Sequence, residues 1–254
     1  MPTWNADQYL KFADERAQPC RDLVARIAVD GVRSIVDLGC GPGNSTRILA
    51  ERWPTAQTIG VDDSVSMIDV ARREQPKRLW AARDITQWAS EEKGLFDVVF
   101  SNAALQWAPD HASLYPKLFD RVAPGGAFAV QIPSDVHSLP HRIMREVAPP
   151  DLKVKEWHAH PAAFYYDLVA SHAARVEMWE TDYYHVLPNA EAVVEWYKGT
   201  GLRPFLEALP TESDREQFLA DYLKRIRAAY PIHPDGKIIF PFRRLFVVAY
   251  KDVR

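Results

Sequence analysis

The feature that most constrains this fold is a glycine-rich turn between an apolar strand and a helix. The turn reads Val-Asp-Leu-Gly-Cys-Gly-Pro-Gly-Asn, with glycines at Gly39, Gly41 and Gly43. Glycine permits the positive φ angles of a tight turn and lets a ligand approach the backbone. The dinucleotide-binding fingerprint needs its third glycine one residue later, at Asn44. Asp37, just before the turn, would repel a pyrophosphate and suits a cationic ligand.

Short apolar runs alternate with segments of helical periodicity along the first half of the chain. The predicted strands are Ser34–Leu38, Thr58–Asp62, Leu79–Ala82, Phe96–Phe100 and Ala127–Ile132. The predicted helices are Asn44–Arg52, Ser64–Arg73 with Ser64 as its N-cap, and Leu114–Val122. This alternation predicts a parallel sheet with helices on both faces and right-handed connections.

The two ends of the chain carry further predicted elements. A helical stretch covers Asp7–Ala28, and Pro19 is expected to break it into two helices. Two late strands, Arg175–Leu187 and Leu245–Tyr250, fit a hairpin at the edge of the sheet, and the remaining helical stretches are Ala162–Ala174 and Glu191–Tyr230. We therefore expect a doubly wound α/β fold, with a mostly parallel seven-stranded sheet, an antiparallel last strand and a helical cap.

The alternation of short apolar strands with helical segments ends after Pro133. Residues 135–161 are richer in proline and histidine, and their periodicity is weak. We expect residues 1–134, 162–188 and 240–254 to form a ligand-binding α/β core. Residues 135–161 and 189–239 are expected to form mainly helical, substrate-binding insertions.

Composition and charge exclude several classes of protein. The net charge is −3, from 31 basic and 34 acidic side chains, so the chain has no excess of positive charge for binding nucleic acid or an anionic membrane. Cys20 and Cys40 are too few for a disulfide framework and are predicted to be free thiols. No metal-ligand spacing, signal peptide or apolar run of transmembrane length is present, so we expect a cytoplasmic protein without a metal.

Polar side chains follow three of the predicted strands. Asp62 ends the second strand, Asp84 follows the third, and Ser101 and Asn102 follow the fourth. The carboxyl ends of parallel strands meet at one edge of the sheet, where open α/β sheets bind ligands. Each of these residues alone is more often a helix cap or a solvated loop residue. Together they predict a ligand site, with Asp62 placed to accept ribose hydroxyls.

The combination resembles class I S-adenosylmethionine-dependent methyltransferases. The matching segments are Asp37–Gly43, Gly60–Ser64, Asp84–Ile85, Phe96–Val99 and Pro124–Gly126. The resemblance implies that Gly39 and Gly41 approach the methionine portion of the cofactor, that Asp62 binds the ribose, and that Met67, Asp84 and Ile85 contact the adenine. The full set of residues implied for cofactor binding is Asp37, Gly39, Gly41, Asn44, Asp62, Asp63, Met67, Asp84, Ile85, Ser101 and Asn102.

A closer resemblance, to the trans-aconitate 2-methyltransferase family, spans nearly the whole chain. It is carried by Trp4-Asn5, Tyr9–Phe12, Glu15-Arg16, Ser101–Trp107, Pro109–His111, Tyr183–His185 and Thr200–Pro204. It implies S-adenosylmethionine-dependent methylation of a carboxylate of a small tricarboxylic acid, giving the monomethyl ester. The sequence departs from the expected pattern at Gln18, where the resemblance predicts an arginine.

This chemistry needs positioning rather than a base. A carboxylate with a pKa of about 4 is already an anion at neutral pH, so the acid needs only to be aligned with the methyl group at an approach of roughly 3 Å. Arginine suits the remaining carboxylates because its planar fork matches their geometry. The candidates for binding and positioning the acid are Arg16, Arg203, Arg243 or Arg244, Tyr184 and His185, with Trp107, Tyr9 and Phe12 covering the mouth of the site.

Other functions remain open at this point. A related enzyme could act on another small acid, a hydroxyl or an amine, and the last two would usually need a base. Methylation of nucleic-acid amines is disfavoured because Ser101–Ala104 stands where an Asn-Pro-Pro-Tyr pattern would be expected. A nicotinamide-binding protein is disfavoured by the glycine spacing, and a cofactor-binding module without activity by the long cap.

Overall fold

The computed structural model describes residues 13–135, 137–155 and 157–253, with only the helical backbone at residues 13–15. Within these residues seven strands form one sheet. They are β1 Ser34–Leu38, β2 Gln57–Asp62, β3 Leu79–Ala82, β4 Phe96–Asn102, β5 Val122–Pro133, β6 Arg175–Leu187 and β7 Ile238–Tyr250. Their order is β3-β2-β1-β4-β5-β7-β6. Strands β1 to β5 pair in parallel and β7 runs antiparallel to β5, which confirms the predicted fold class.

The helices lie between the strands and in the second half of the chain. They are α1 Ala13–Arg26, α2 Asn44–Arg52, α3 Val65–Glu74, α4 Ile85–Glu91, α5 His111–Asp120, α6 Leu139–Val147, α7 Ala162–Val169, α8 Ala190–Lys198, α9 Arg203–Ala208 and α10 Glu212–Ala229. Ser64 caps α3 as predicted, accepting a hydrogen bond from the Met67 amide. None of the helices described is long and apolar enough to cross a membrane.

The prediction that Pro19 breaks the first helix is wrong. Pro19 lies inside α1, which continues to Arg26. A proline inside a helix costs about 3 kcal/mol, and here burial offsets that cost. Cys20 and Leu23 on this helix are at most 1% exposed, so α1 is held by its packing rather than by its local propensity.

Other boundaries differ from the sequence prediction. Helices α4 and α6 were not predicted, because both are short and α6 lies in the segment of weak periodicity. Strand β7 begins at Ile238 rather than Leu245. Strand β5 begins at Val122 rather than Ala127: Phe96 pairs with Val122 and Val98 with Ala127, so the proline-glycine turn is accommodated as a bulge within the strand.

The chain divides into two compact units. One, here the sheet unit, contains Asp14–Ser134, His158–Thr181 and Arg244–Arg254; the described residues of the other, the helical unit, fall within Asp135–Trp157 and Asp182–Arg243. The sheet unit contains two buried free thiols, Cys20 and Cys40. The assignment of substrate binding to residues 135–161 and 189–239 stays a prediction.

The two faces of the sheet differ at its carboxyl edge. Register places Asp37 beside Phe100, Phe100 beside Ala129, and Ala129 beside Val248. Side chains alternate between faces along a strand, so Asp37, Asn102 and Gln131 share one face. The opposite face is apolar and carries Val99, Val130, Val247 and their neighbours.

Candidate functional site

The glycine turn connects β1 to α2 at the carboxyl edge of the sheet. Gly39 and Gly41 have φ angles of 73° and 52°, in the left-handed region that favours glycine. A Cβ atom at Gly39 would lie 2.0 Å from Cβ of Ala104, whereas a Cβ at Gly41 would meet nothing within 4 Å. The turn therefore packs tightly beneath Gly39 and leaves open space at Gly41, where a ligand could contact the backbone.

Asp37 is the fully buried acid below this turn. Its Oδ2 accepts hydrogen bonds from Ser45 Oγ at 2.7 Å and Thr46 Oγ1 at 2.6 Å, while its Oδ1 has no hydrogen-bond partner among the described residues. Burial raises the pKa of Asp37 from 3.8 to about 6, against the hydrogen bonds of Ser45 and Thr46. The site thus holds a buried carboxylate that pairs with no cation among the residues the structure describes, which favours a cationic ligand.

Asp62 ends β2 and is held by the loops on both sides. Its Oδ2 accepts from the Gly41 amide and its Oδ1 from the Ser64 amide, both at 2.9 Å. A carboxylate offers about four lone-pair positions, so acceptor capacity remains for the two hydroxyls of a ribose. Burial raises the pKa of Asp62. Its neighbour Asp63 is exposed.

The residues predicted for the adenine lie near the same edge. Met67 is buried under the Ser64 cap. Asp84 is exposed and caps α4, accepting from the Gln87 amide at 2.9 Å. Ile85 is half-buried, and its Cδ1 lies 3.6 Å from the position a Gly39 Cβ would occupy. The structure therefore brings Ile85 beside the glycine turn.

The end of β4 forms the next part of the edge. Ser101 is buried and its Oγ donates to the Leu38 carbonyl at 2.8 Å, tying β4 to β1. Asn102 is half-buried, and its Oδ1 has no hydrogen-bond partner among the described residues. Ala103 has a φ of 55°, a conformation that costs an alanine about 1 kcal/mol or more. Such strain is typical of functional loops, and no sequence signal marked Ala103.

A short 3₁₀ helix at Leu105–Trp107 follows this strained residue. Gln106 Nε2 donates to the Ala103 carbonyl at 2.7 Å. His111 Nε2 lies 2.8 Å from the Leu105 carbonyl, a contact in which the ring nitrogen donates. These bonds fix the segment on which the half-buried Trp107 stands. Asn44, also half-buried, is the first residue of α2, and Gly43, with a φ of 92°, is the N-cap of that helix.

Two arginines of the sheet unit are buried, and Arg244 lies at the carboxyl edge as the register partner of Pro133. Arg16 on α1 is 8% exposed and Arg244 on β7 is 6% exposed. Gln18 is exposed and donates through Nε2 to Asp22 at 2.8 Å, so the departure from the expected arginine falls on a solvent-facing side chain. Sequence reasoning missed Gln131, a fully buried amide on β5. The signal was a lone polar residue within the apolar run of that strand.

The remaining candidates belong to the helical unit. Arg203 opens α9, with Glu207 Oε1 at 3.7 Å from its Nε. Tyr184 is 66% exposed, whereas His185 on the other face of the strand is buried against Trp196, with ring centroids 4.7 Å apart. Arg243 forms a bidentate pair with Asp182 at 2.7 and 2.9 Å. The predicted contacts of these residues with a substrate stay predictions, and Tyr9 and Phe12 lie outside the described residues.

Comparison with known proteins places the chain among methyltransferases. A methyltransferase domain family matches residues 35–126. Trans-aconitate 2-methyltransferase of Azoarcus sp. (strain BH72) is 47% identical, covering 99% of this chain and 100% of the relative. The protein of the same name from Variovorax paradoxus (strain S110) is 42% identical, covering 99% of each chain.

Solved structures agree on the fold. The YcgJ protein of Bacillus subtilis has a TM-score of 0.62 at 13% identity, covering 92% of this chain and 99% of its own. Phosphoethanolamine N-methyltransferase 2 of Haemonchus contortus, in complex with S-adenosyl-L-methionine, has a TM-score of 0.61 at 16% identity, covering 97% of this chain and 56% of its own. At these identities the likeness establishes a shared fold.

Proposed function

The chain belongs to the trans-aconitate 2-methyltransferase family, and we propose that it transfers the methyl group of S-adenosylmethionine to a carboxylate of trans-aconitate, giving the monomethyl ester. The observation that carries this proposal is the match of the family along the full chain, through both the sheet unit and the helical unit. A cofactor-binding domain alone would not extend the likeness to the regions that select a substrate.

The glycine turn and its neighbours have the chemistry that this cofactor requires. When bound, S-adenosylmethionine supplies a methyl group activated by a sulfonium sulfur. The open backbone at Gly41 would receive the amino-acid portion, and the charge of Asp37 would favour its cationic groups. Asp62 would accept the ribose hydroxyls, with Met67 and Ile85 against the adenine. Asn44, Asp63, Asp84, Ser101 and Asn102 complete the proposed set.

The acid needs cations and hydrogen-bond donors rather than a general base. A carboxylate nucleophile is ionised at neutral pH, so the residues around it must orient it, neutralise the other carboxylates and exclude water. The buried arginines Arg16 and Arg244 suit this task in the sheet unit. Arg203, Tyr184 and His185 remain candidates in the helical unit. Trp107 is proposed to cover the reacting groups.

Replacing Asp62 by alanine is expected to weaken cofactor binding without changing the acid specificity. The substitution removes the acceptor of the ribose hydroxyls, and each charge-assisted bond contributes about 1.5–3 kcal/mol. We therefore expect the dissociation constant of S-adenosylhomocysteine, measured by calorimetry, to rise at least ~10-fold. Asp69→Ala is a matched control, because Asp69 is exposed and pairs with Arg72 on the same helix. An Asp62→Ala protein with wild-type affinity would remove Asp62 from the ribose site.

A kinetic comparison of methyl acceptors tests the proposed function. Methyl transfer from labelled S-adenosylmethionine would be measured with trans-aconitate, cis-aconitate, citrate, isocitrate, and simple amines and hydroxyl compounds. We expect the largest kcat/KM for trans-aconitate. Preference for another small acid would mean that the substrate is that acid, with a carboxylate still the methyl acceptor. Transfer to an amine or a hydroxyl, with no ester from any acid, would contradict the proposal.

A further inference from the structure

Four polar side chains, three of them buried and one half-buried, lie in one row at the carboxyl edge of the sheet unit. Asn102 on β4 is the register partner of Gln131 on β5. Gln131 is the partner of Phe246 on β7, and Arg244 lies two residues from Phe246 on the same face. The fourth member is Arg16. We define these residues, Arg16, Asn102, Gln131 and Arg244, as the polar row.

Arg16 joins the row through the packing of α1. Cys20 on this helix lies close enough to Asp37 for that charge to raise the pKa of its thiol, after the larger effect of burial. Arg16 lies four residues before Cys20, hence one turn along the same side of the helix. Asn102 likewise lies two residues beyond Phe100, the register partner of Asp37. At its other end, α1 lies at the amino edge of the sheet, where the Tyr250 hydroxyl donates to the Arg26 carbonyl at 3.2 Å. Both steps therefore lead toward the carboxyl edge, by about 6 Å.

Gln131 is the member that points to a ligand. Its side chain is 0% exposed, and neither Nε2 nor Oε1 has a hydrogen-bond partner among the described residues. Buried amides are nearly always hydrogen-bonded, because leaving one unsatisfied is costly. The neighbouring Asn102 Oδ1 also lacks a partner. An unsatisfied donor and acceptor at the edge where this fold binds ligands indicate a group that arrives with the substrate.

The order of charges across the sheet identifies that group. From β2 through β1 to β4 and β5, the edge carries Asp62, Asp37, Asn102 and Gln131, and β7 then carries Arg244. Acids therefore lie on the side of the glycine turn, amides in the middle, and a buried arginine beyond them. A cationic cofactor fits the acidic side and an anionic acid fits the basic side. The half-buried Asn102 marks the point where the row meets solvent, beside the glycine turn.

We propose that the side-chain amide of Gln131 binds a carboxylate of the acid substrate, donating from Nε2 while Arg16 and Arg244 neutralise its charge. This inference rests on the proposed function and assigns recognition of the acid substrate to a named residue. An amide donates one defined hydrogen bond without adding charge, so Gln131 would contribute orientation and the arginines would contribute affinity.

The test compares Gln131→Met with wild-type protein. Methionine matches the length of glutamine and removes both polar atoms. We expect the KM for trans-aconitate to rise on the order of 10- to 100-fold, which corresponds to one lost hydrogen bond to a charged group. The affinity for S-adenosylhomocysteine should stay within about 2-fold, and the Tm of the ligand-free protein should be unchanged or higher, because an unsatisfied amide has been removed.

Two further variants make the result specific. Gln131→Asn keeps the amide but withdraws it by one methylene, so we expect the KM for the acid to rise while cofactor affinity is retained. Tyr115→Phe is the matched control: its hydroxyl is also buried without a partner among the described residues, but its ring packs on Phe128 on the opposite face of the sheet. Its KM should remain at the wild-type value.

Each outcome is informative. Wild-type activity on trans-aconitate with an unchanged KM in both Gln131 variants would overturn the role of Gln131 and leave the proposed function standing. Loss of cofactor affinity together with acid affinity would assign Gln131 to the cofactor instead. A wild-type protein that methylates no carboxylic acid would overturn both this inference and the proposed function.

Discussion

Replacing Gly39 by alanine is expected to abolish methyl transfer and to lower the stability of the protein. The new Cβ would lie 2.0 Å from Cβ of Ala104 and 3.5 Å from its Cα, so the β1–α2 turn and the loop after β4 would have to separate. The φ of 73° adds about 1 kcal/mol of backbone strain for an alanine. We expect a loss of about 3 kcal/mol in the free energy of unfolding, in the range of overpacked core variants, and at least a ~100-fold loss of cofactor affinity.

Alanine at two other glycines would introduce the strain of a positive φ without the steric clash expected at Gly39. Gly31→Ala and Gly41→Ala place alanine at φ angles of 62° and 52° with nothing within 4 Å. Both should lose only about 1 kcal/mol of stability. Gly41→Ala should also weaken cofactor binding, because its Cβ would occupy the space proposed for the ligand, and Gly31→Ala should not. Equal effects at Gly31 and Gly41 would show that the open space at Gly41 is not a binding surface.

Replacing Asp37 by asparagine is expected to change stability and cofactor binding in opposite directions. Burial raises the pKa of this carboxyl from 3.8 to about 6, so the folded protein binds more protons than the unfolded chain between these values. The free energy of unfolding therefore falls as the pH rises through this window, by about 3 kcal/mol in total, and stays lower above pH 6. Asparagine has no charge to bury, so in the variant the free energy of unfolding should not fall in this way as the pH rises.

The measurements are urea unfolding and cofactor titration over pH 4.5 to 8. At pH 7 we expect Asp37→Asn to be more stable than wild type by up to about 3 kcal/mol and to bind S-adenosylmethionine on the order of 10- to 100-fold more weakly. Wild-type affinity should fall about tenfold per pH unit below pH 6, and the variant should show a weaker dependence, the part that comes from Asp62, whose pKa burial also raises. Asp97→Asn, at the amino end of β4 where Asp97 binds the Arg33 and Ser34 amides, should keep full affinity. Unchanged affinity in Asp37→Asn would give Asp37 a structural role only.

The parts of the fold that follow local rules could be predicted from the sequence. Strands β1 to β4 and helix α2 lie where the apolar runs and the glycine turn predicted them. A buried parallel strand is visible in the sequence as an apolar run, and a positive φ angle as a glycine. The antiparallel last strand was also predicted. Helix α1 was predicted incorrectly at Pro19, because long-range packing of Cys20 and Leu23 outweighs a local helix breaker.

The candidate site divides in the same way. Residues of the glycine turn and of the strand ends are adjacent in space because parallel strands share an edge, so Asp37, Gly39 and Asp62 could be identified from spacing. The bond from Gly41 to Asp62 and the strain at Ala103 depend on two or more loops meeting, and no spacing encodes them. Gln131 carried a readable signal, a polar residue in a buried strand, whose meaning depends on the register of β4, β5 and β7.

The product of a single turnover would show whether the methyl acceptor is a carboxylate of trans-aconitate. The protein would be mixed with methyl-labelled S-adenosylmethionine and trans-aconitate, and the product separated and analysed by mass spectrometry before and after mild alkali. We expect one labelled monomethyl ester that alkali converts back to trans-aconitate with release of labelled methanol. A labelled product that survives alkali, or no transfer to the acid from a protein that binds the cofactor, would show that a carboxylate of trans-aconitate is not the methyl acceptor.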